Sequence, residues 1–422
     1  MTSHAPNVLM FAVGSHGDIH PMVAIGKMLR ERGHRVSLVA SSYFEPIVRR
    51  AGLDFISRGT SIEYIQRLKN PDMGKARKGI QLMFERCCDY MRESYETVAS
   101  KSARGKTIVV APFSVFGARV AQEKLGIPLV TVHLQPILLR SARFHSTRPV
   151  RRLLSPVLSP MQQLHYLAAD RLLIDPIVLP KMNSFRSELG FPGISRPLNS
   201  WIHSPQLTIG LFPDWFAPPQ PDWPSQVRLT GFPLYDEGQR TELDPELTDF
   251  LSAGDAPIVF TLGTAMLAAK RFFSESLKVC QLLGRRGIFL TQFPEQIPPS
   301  LPKYIRHFKY VPFSLLLNRA AALVHHAGIG TIAQALRAGI PQLLVPCHYD
   351  QPDNSMRLKE LGVAKSIHLT RYRAAPVASK IHRLLSSPEV AARCKAVASK
   401  FAGTNPLVQT CELIESITKE DR

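Results

Sequence analysis

A unit of strand, glycine turn, helix and strand in the second half of the chain is the feature that most constrains its fold. It is predicted by an apolar run, a Gly-x-Gly turn, an amphipathic run closed by Gly339 and Pro341, and a second apolar run. Strands joined by a helix lie parallel in one sheet, so the unit indicates an α/β fold. The predicted elements are strand 321–326, turn 328–331, helix 332–338 and strand 342–346.

The same unit carries residues suited to a sugar diphosphate. Gly328 and Gly330 let the backbone approach an anion, and the helix that starts beside Thr331 presents N–H donors to a phosphate. Asp350 and Gln351 follow the next strand, at the sheet edge where ligands of parallel sheets bind, and can hydrogen-bond adjacent sugar hydroxyls. The alternative is that the glycines only form a turn and that Asp350 and Asn354 cap the following helix.

Strand and helix patterns alternate along the whole sequence, which favours parallel sheets in two Rossmann-like halves. A length of 422 residues fits two domains. In the first half the pattern predicts strand 7–13, helix 21–32 and strand 35–40, and in the second half strand 258–262 turns at Gly263.

Residues 212–235 separate the halves and contain six prolines and two of the three tryptophans, so we expect an ordered linker without a regular element. An apolar stripe near the end of the sequence predicts a helix that packs back on the domains. The predicted divisions are an N-terminal domain (1–211), the linker (212–235), a C-terminal domain with the predicted sugar-diphosphate site (236–400) and the C-terminal helix (401–422).

Composition sets limits on partners and location. The chain has 45% hydrophobic residues, six cysteines without zinc spacing, no bilayer-length apolar run and no signal-peptide pattern, so we expect a cytoplasmic globular protein. The net charge is +19, and no acidic residue occurs from Lys124 to Ala169. This basic segment is either a solvated surface or a peripheral contact with anionic lipid at the inner face of the membrane. No nucleic-acid-binding motif accompanies it.

A second polar loop, GSHGDIHP, lies between the first strand and the first helix. It lacks the G-x-G-x-x-G spacing of dinucleotide sites, and the second strand offers no carboxylate for a ribose, so NAD binding is disfavoured. His16 and Asp18 can each accept a proton from a hydroxyl. The alternative is that Asp18 caps the helix and His16 has no role.

The motifs GSHGDIHP, HHAGIGT and DQPDN together resemble the inverting family 1 glycosyltransferases, and the resemblance covers essentially the whole sequence. It implies the GT-B fold, an α/β architecture in which two Rossmann-like domains face each other across a cleft. In that fold residues 1–211 would be the acceptor-binding domain and residues 236–400 the nucleotide-sugar-binding domain. The stretch 201–236, with WIHSPQ, LFPDWFAPPQPDWP and TGFPLYD, is most similar to a group of bacterial rhamnosyltransferases that glycosylate a 3-hydroxy fatty acyl lipid. That narrower resemblance implies a lipid-like acceptor.

The resemblance assigns donor-site roles one residue at a time. Tyr310 and Val311 match the site of the nucleotide base, where the tyrosine stacks on the pyrimidine; the alternative is a core tyrosine. Asp350 and Gln351 match the pair that binds the sugar. At the second phosphate-side loop the family more often has serine where this sequence has Thr264. The residues assigned to the donor diphosphate are His326, Gly328, Gly330, Thr331, Gly263 and Thr264.

For the general base the resemblance leaves two candidates, His16 and Asp18. Family members with a catalytic histidine orient it with an aspartate after a later strand. Here the corresponding strand, 107–111, continues into Pro112, Phe113 and Ser114 without a carboxylate. We therefore favour Asp18, while His16 stays open.

The predicted function is transfer of a hexose from a UDP-glucose or dTDP-rhamnose type of donor to a hydroxyl of a lipid-like or other small hydrophobic acceptor. The nucleotide sugar is a co-substrate, and neither a cofactor nor a metal is expected, since no D-x-D carboxylate pair occurs. Three alternatives remain at this point: a nucleotide-sugar 2-epimerase of related fold, a non-catalytic partner of another glycosyltransferase, and a module that binds membrane or nucleic acid through its arginines.

Overall fold

The computed structural model describes residues 6–142, 155–236, 242–263 and 269–420. The chain forms two compact units. The first comprises Met1–Gly14, Asp18–Pro233 and Asn405–Arg422, and the second comprises Ser15–Gly17 and Leu234–Thr404. The arginines at 143, 148, 151 and 152 and the predicted site residue Thr264 lie outside the described residues.

The first unit is built on a parallel sheet in which, over the described residues, seven strands take the order β3-β2-β1-β4-β5-β6-β7. The order reverses at β1, so the loops after β1 and β4 lie side by side at the carboxyl edge, where parallel sheets bind ligands. The strands are β1 (Asn7–Phe11), β2 (Val36–Ala40), β3 (Asp54–Ser57), β4 (Thr107–Pro112), β5 (Leu129–His133), β6 (Leu207–Gly210) and β7 (Val227–Leu229).

Helices cover this sheet; Pro21 lies inside the first of them, and Pro160 and Pro180 lie inside two consecutive ones. A π-helical turn, Asp170–Ile174, joins those two helices. The helices are α1 (His16–Glu31), α2 (Glu45–Arg50), α3 (Ser61–Lys69), α4 (Ala76–Asp89), α5 (Met91–Lys101), α6 (Phe116–Leu125), α7 (Ser155–Ala169) and α8 (Asp175–Glu188).

The second unit contains a parallel sheet of six strands among the described residues, in the order β10-β9-β8-β11-β12-β13. Phe260 and Leu343 pack on one face, and Val259 and Leu323 on the other, so both faces are covered. The strands are β8 (Ile258–Phe260), β9 (Gly287–Leu290), β10 (Ile305–Phe308), β11 (Ala322–His325), β12 (Gln342–Leu344) and β13 (Ala364–Ser366).

The helices of the second unit connect these strands, and the last helix returns to the first unit. In sequence order they are α9 (Pro245–Ser252), α10 (Lys270–Leu283), α11 (Phe313–Leu316), α12 (Ile329–Ala338), α13 (Gln351–Leu361), α14 (Ala374–Leu385), α15 (Pro388–Ala398) and α16 (Pro406–Glu420).

Two helices start earlier than the sequence predicts. Helix α1 begins at His16 and contains Pro21, because the extension buries Ile19, which is 1% exposed. Helix α12 begins at Ile329, so Gly330 and Thr331 lie in its first turn and not in the preceding loop.

The proline-rich segment 212–235 also differs from the prediction of no regular element. Its residues Val227–Leu229 form β7, which pairs with β6 at the edge of the first sheet. An edge strand is hydrogen-bonded on one side only, so it tolerates a proline-rich surrounding sequence. The first unit continues as far as Pro233. Across the described ranges, no helix combines the length and apolar character that a membrane crossing requires.

Candidate donor and base sites

The end of β11 brings two histidines together at the edge of the second sheet. His325 is fully buried, and its Nε2 lies 2.9 Å from the Gln342 side-chain oxygen. Its Nδ1 accepts a hydrogen bond from the Ala327 N–H at 3.3 Å. Both contacts are satisfied when His325 is the neutral Nε2–H tautomer. Burial, followed by the charge of His326, lowers the pKa of His325 to about 3, so the His325 ring is neutral at pH 7.

The His326 ring lies against the backbone of two glycines. A Cβ at Gly263 would be 2.5 Å from its Cε1, and a Cβ at Gly328 would be 2.4 Å from its Nε2. Neither position therefore accepts a side chain while the ring keeps this place. Burial, and then the nearby His348, lowers the pKa of His326 to about 4. Its imidazole is thus neutral at pH 7 and has one N–H to donate.

The residue between His326 and Gly328 is held in an unusual conformation. Ala327 has a φ of 68°, in the left-handed region that a side chain disfavours, and is fully buried. Asn354, also fully buried, donates from Nδ2 to the Ala327 carbonyl at 3.1 Å and to Asp350 Oδ2 at 2.6 Å. One side chain thus links the turn after β11 to the loop after β12.

The first turn of α12 offers the space and the donors that an anion needs. Gly328 is its N-cap residue, and Gly330 and Thr331 follow in the first turn. A Cβ at Gly330 would meet no atom within 4 Å. Packing within the described residues therefore does not require glycine there, whereas close approach of a ligand to the helix N-terminus would.

The predicted sugar pair lies at the start of α13. Gln351 is 8% exposed, and its side-chain oxygen accepts from the backbone N–H groups of Cys347 at 2.9 Å and His348 at 3.3 Å. The oxygen is thereby engaged, so a sugar contact from Gln351 has to come from its amide nitrogen. Asp350 is the N-cap residue of α13, and its Oδ2 accepts from Asn354.

Tyr310 and Val311 follow β10 at the same edge of the sheet. Tyr310 is 46% exposed, which excludes the alternative of a core tyrosine, whereas Val311 is buried. An exposed ring can stack on a planar base. The structure of the second unit thus brings the loops after β8, β10, β11 and β12 to one sheet edge, and these loops carry the described donor-site candidates.

The candidate bases lie in the first turn of α1, and both are partly exposed. The Asp18 carboxyl folds back over the backbone of Gly14, since a Cβ on Gly14 would be 2.1 Å from Asp18 Oδ2. Gly14 has a φ of 139°, which favours glycine. Strand β4 ends at Pro112 and is followed by Phe113 and Ser114, so the orienting carboxylate expected for a histidine base does not follow it.

Sequence reasoning missed a buried histidine pair at this edge. His133 ends β5, is fully buried, and places Nε2 2.9 Å from Nδ1 of His203. Burial, and then the charge of His203, lowers the pKa of His133 well below its usual value. Burial, followed by Arg140, lowers the pKa of His203 to about 4. The two residues are 70 positions apart, and no spacing motif joins them.

Within the described ranges, no group of three or more His, Cys, Asp or Glu side chains is arranged to hold a metal ion. The polar atoms described above come from neutral imidazoles, amides, carboxylates and helix N–H groups. Of these groups, the neutral imidazole and the helix N–H groups are of the kind that can bind a diphosphate through hydrogen bonds and a helix dipole.

Two family models match the sequence. The glycosyltransferase family 28 N-terminal domain matches residues 8–142, and the erythromycin biosynthesis protein CIII-like C-terminal domain matches residues 291–413. The first range contains the Gly14–Asp18 loop, and the second contains the turn after β11 and the loop after β12.

Individual proteins match over nearly the whole sequence. The O-mycaminosyltylonolide 6-deoxyallosyltransferase of Streptomyces fradiae is 30% identical over 97% of this chain and 96% of its own length. A sterol 3-beta-glucosyltransferase of Debaryomyces hansenii is 23% identical over 97% of this chain, but over only 26% of its own length. The solved structure of the glycosyltransferase VinC in complex with DTDP has a TM-score of 0.69 at 17% identity, covering 98% of this chain and all of VinC. At that identity the structural likeness concerns the fold alone.

Proposed function

Because this protein belongs to the family 1 glycosyltransferases of the GT-B fold, we propose that it is an inverting hexosyltransferase. It moves a hexose from a nucleotide-diphosphate sugar to a hydroxyl of a small hydrophobic acceptor. One observation carries the donor assignment: the neutral His326 ring, enclosed by Gly263 and Gly328, lies beside the open N-terminal turn of α12. That arrangement suits a diphosphate leaving group.

The proposed reaction divides the chemistry between the two units. Asp18, in the first unit, removes the proton from the acceptor hydroxyl, and the oxygen attacks the anomeric carbon from the face opposite the diphosphate. The bond from that carbon to the diphosphate breaks, and the configuration inverts. His326 and the N–H groups at Gly330 and Thr331 donate hydrogen bonds to the negative charge that develops on the diphosphate.

The remaining donor contacts follow the same assignment. The exposed ring of Tyr310, followed by Val311, supports the base, and Asp350 with the Gln351 amide nitrogen holds the sugar hydroxyls. Gly263 and Thr264 complete the phosphate side.

For the donor we propose a UDP-glucose or dTDP-rhamnose type of sugar, and for the acceptor a lipid-like alcohol. The name of the Streptomyces fradiae relative describes transfer of a 6-deoxyallosyl group, and VinC was solved with DTDP. The name of the Debaryomyces hansenii protein describes a sterol acceptor. These relatives support a hexosyl donor and a hydrophobic hydroxyl acceptor.

The donor is identified by a binding and turnover panel. Purified protein is mixed with UDP-glucose, dTDP-rhamnose, UDP or dTDP, and the shift in melting temperature and the slow release of free sugar are recorded. A ligand at 100 times its Kd stabilises the folded state by about 2.7 kcal/mol. We expect one nucleotide to stabilise the protein and its sugar to be released. No stabilisation by any of the four would contradict the donor assignment.

The base is tested with Asp18→Asn and His16→Ala. We expect Asp18→Asn to abolish transfer to a sterol or 3-hydroxy fatty acid acceptor while nucleotide-induced stabilisation stays near normal, because the base does not hold the donor. Full transfer by Asp18→Asn together with an inactive His16→Ala would reverse the assignment. Conversion of the nucleotide sugar to a 2-epimer without any acceptor would instead identify an epimerase.

We also propose a peripheral contact with anionic lipid through the surface of α7 and the π-helical turn. Met161, Leu164 and Leu172 are 62%, 66% and 75% exposed on this continuous helical stretch. Arg171 is exposed beside them, and the sequence carries no acidic residue from Lys124 to Ala169. Exposed apolar side chains next to an excess of positive charge are what an interfacial contact with anionic lipid requires.

Vesicle flotation tests this contact. The triple change of Met161, Leu164 and Leu172 to Gln should reduce co-flotation with phosphatidylserine vesicles at low salt. Leu282→Gln is the matched control, because Leu282 is 61% exposed on α10 in the other unit. Wild-type protein that does not float with anionic vesicles at low salt would refute the contact.

A further inference from the structure

Helix α3 reaches the loop that carries the candidate base through one arginine. Arg67 Nη2 donates to the Gly14 carbonyl at 3.2 Å, across 53 residues of sequence. The carboxyl of Asp18 lies over the backbone of this same glycine. The Arg67 guanidinium and the Asp18 carboxyl, which belong to two different helices, therefore both lie against Gly14.

The arginine is itself held by an aromatic cluster. Its guanidinium lies 4.9 Å from the ring centre of Tyr64, which is 2% exposed, and it also hydrogen-bonds the Tyr64 hydroxyl. Tyr43 stacks on Tyr64 with ring centres 4.5 Å apart, and Phe44 meets it edge-on at 4.9 Å. A planar cation on the face of a clamped ring loses little further rotamer freedom, so its direction is fixed.

The start of α3 is tied down as well. Thr60 and Glu63 form a reciprocal capping box, and the hydroxyls of Ser42 and Ser61 lie 3.0 Å apart. These contacts join α3 to the turn that follows β2. They restrain the helix from which Arg67 contacts Gly14.

The charges of Asp18 and Arg67 both act on the Tyr64 hydroxyl. Burial is the main cause that raises the pKa of the Tyr64 hydroxyl, and the Asp18 charge raises it further, whereas Arg67 opposes the rise. Asp18 shares α1 with His16 and His20, and its charge acts on Tyr64 of α3, against which Arg67 lies; among the described residues, Tyr43 stacks on Tyr64. Of these, Arg67 is the permanent cation, and a nearby cation favours the ionised form of a carboxyl.

We propose that Arg67 is a positioning residue for the base: it holds the Gly14 carbonyl and keeps the Asp18 carboxyl ionised and directed. This inference rests on the proposed role of Asp18. The carboxyl accepts the acceptor proton only in its ionised form, so the charge on Arg67 sets the acidic limit of activity. The hydrogen bond to Gly14 fixes where the carboxyl stands.

The test measures Asp18 itself and needs no substrate. The protein is labelled with [¹³C-carboxyl]aspartate, and the Asp18 resonance is identified by its loss in Asp18→Asn. Its chemical shift is followed from pH 7.5 to pH 5, while circular dichroism confirms that each variant stays folded. Arg67→Met removes both the charge and the hydrogen bond, Arg67→Gln removes the charge but can still donate to Gly14, and Arg67→Lys keeps the charge. Lys69→Met, at the exposed end of the same helix, is the control.

We expect the protonated fraction of Asp18 at pH 5 to rise by up to about tenfold in Arg67→Met and Arg67→Gln, corresponding to a shift of about one pH unit. Arg67→Lys and Lys69→Met should titrate like wild type. If Arg67→Met does not fold, Arg67→Gln decides. An unchanged titration in both neutral variants would overturn the proposal, even if Asp18→Asn is inactive. An active Asp18→Asn would instead refute the base assignment, whatever Arg67 does.

Discussion

The side-chain amide of Asn354 donates a hydrogen bond to the backbone carbonyl of Ala327, 3.1 Å away, and so holds a left-handed alanine in place. A left-handed conformation costs a residue with a side chain about 1–2 kcal/mol. The second donor bond of Asn354, to Asp350, extends the same restraint to the sugar loop. One buried amide therefore joins the turn after β11, proposed to bind the diphosphate, to Asp350 of the proposed sugar pair.

Asn354→Ala should weaken both parts of the donor site. The change leaves the buried carbonyl of Ala327 without this donor, which costs about 1–3 kcal/mol. We expect a lower free energy of unfolding in urea and at least a tenfold loss of nucleotide affinity by calorimetry. Asn318→Ala removes an exposed amide that donates to the Ser314 carbonyl and is the control. Unchanged nucleotide affinity in Asn354→Ala would contradict the linking role.

A glycine in place of the left-handed alanine should restore part of the stability that Asn354→Ala loses. Ala327→Gly in the Asn354→Ala background relieves the strain at this position, so it should recover about 1 kcal/mol of stability. Urea unfolding measures the recovery. If the double variant is no more stable than Asn354→Ala, strain at Ala327 is not what Asn354 holds.

Gly328 and Gly330 lie close together in sequence but have different reasons to be glycine, and substitution should separate them. Gly328→Ala places a methyl group 2.4 Å from His326 Nε2, so it should displace the ring and lower both stability and nucleotide affinity. Gly330→Ala meets no atom within 4 Å and should fold normally, since alanine favours a helix. Its nucleotide affinity should nevertheless fall if the diphosphate approaches that backbone. Melting curves with and without nucleotide distinguish the two effects.

Tyr310 should contribute to nucleotide binding and hardly to stability, because it is 46% exposed. We expect Tyr310→Ala to lose several-fold in affinity for UDP or dTDP, as the removal of an aromatic contact costs about 0.5–1.5 kcal/mol beyond buried area. Tyr310→Phe keeps the stacking ring and should bind like wild type. A melting temperature that falls by more than a few degrees in Tyr310→Ala would indicate a packing role instead.

Acid should destabilise the fold through its buried histidines. Burial lowers the pKa of His325 to about 3 and of His203 and His326 to about 4, so the unfolded state takes up protons first as the pH falls below about 6.5. Their stabilisation is present at pH 7.5 and is lost progressively towards pH 4. Each of the three histidines should lower the free energy of unfolding by about 1 kcal/mol between pH 7.5 and pH 5.5.

Urea unfolding at the two pH values measures this loss. His203→Gln cannot be protonated and should reduce the drop, whereas His382→Gln, at an exposed position, should leave it unchanged. If the free energy of unfolding falls equally in both variants, His203 does not contribute to the sensitivity to acid.

The sequence predicts the strands and the helix around the proposed diphosphate turn to within a few residues, because the signals that define them are close together in sequence. The turn after β11 and the loop after β12 fall within 30 residues, and the glycine and strand patterns set their places. Asn354 belongs to the same sequence motif, but its contact with Ala327 depends on a left-handed backbone conformation that no sequence pattern predicts.

Contacts at the carboxyl edge of the first sheet, where the proposed base lies, are harder to predict because they are long-range. Arg67 meets Gly14 from 53 residues away, and His133 meets His203 from 70 residues away, so only the folded sheet brings these pairs together. Local patterns also misplace the start of α1. Pro21 suggests a first helical turn, whereas burial of Ile19 extends the helix back to His16.

The return of α16 to the first unit determines how the enzyme can be divided. Glu415 binds Arg32 at 2.7 Å and His34 at 2.9 Å, and the hydroxyls of Thr410 and Thr230 lie 2.8 Å apart. Residues 234–404 are thus an insertion within the first unit, and a simple truncation would remove one of its helices. Because Gly231 lies against Pro406, a gene fusion that joins Pro233 to Asn405 through a short spacer would excise Leu234–Thr404 of the second unit and leave the rest of the chain as one continuous polypeptide.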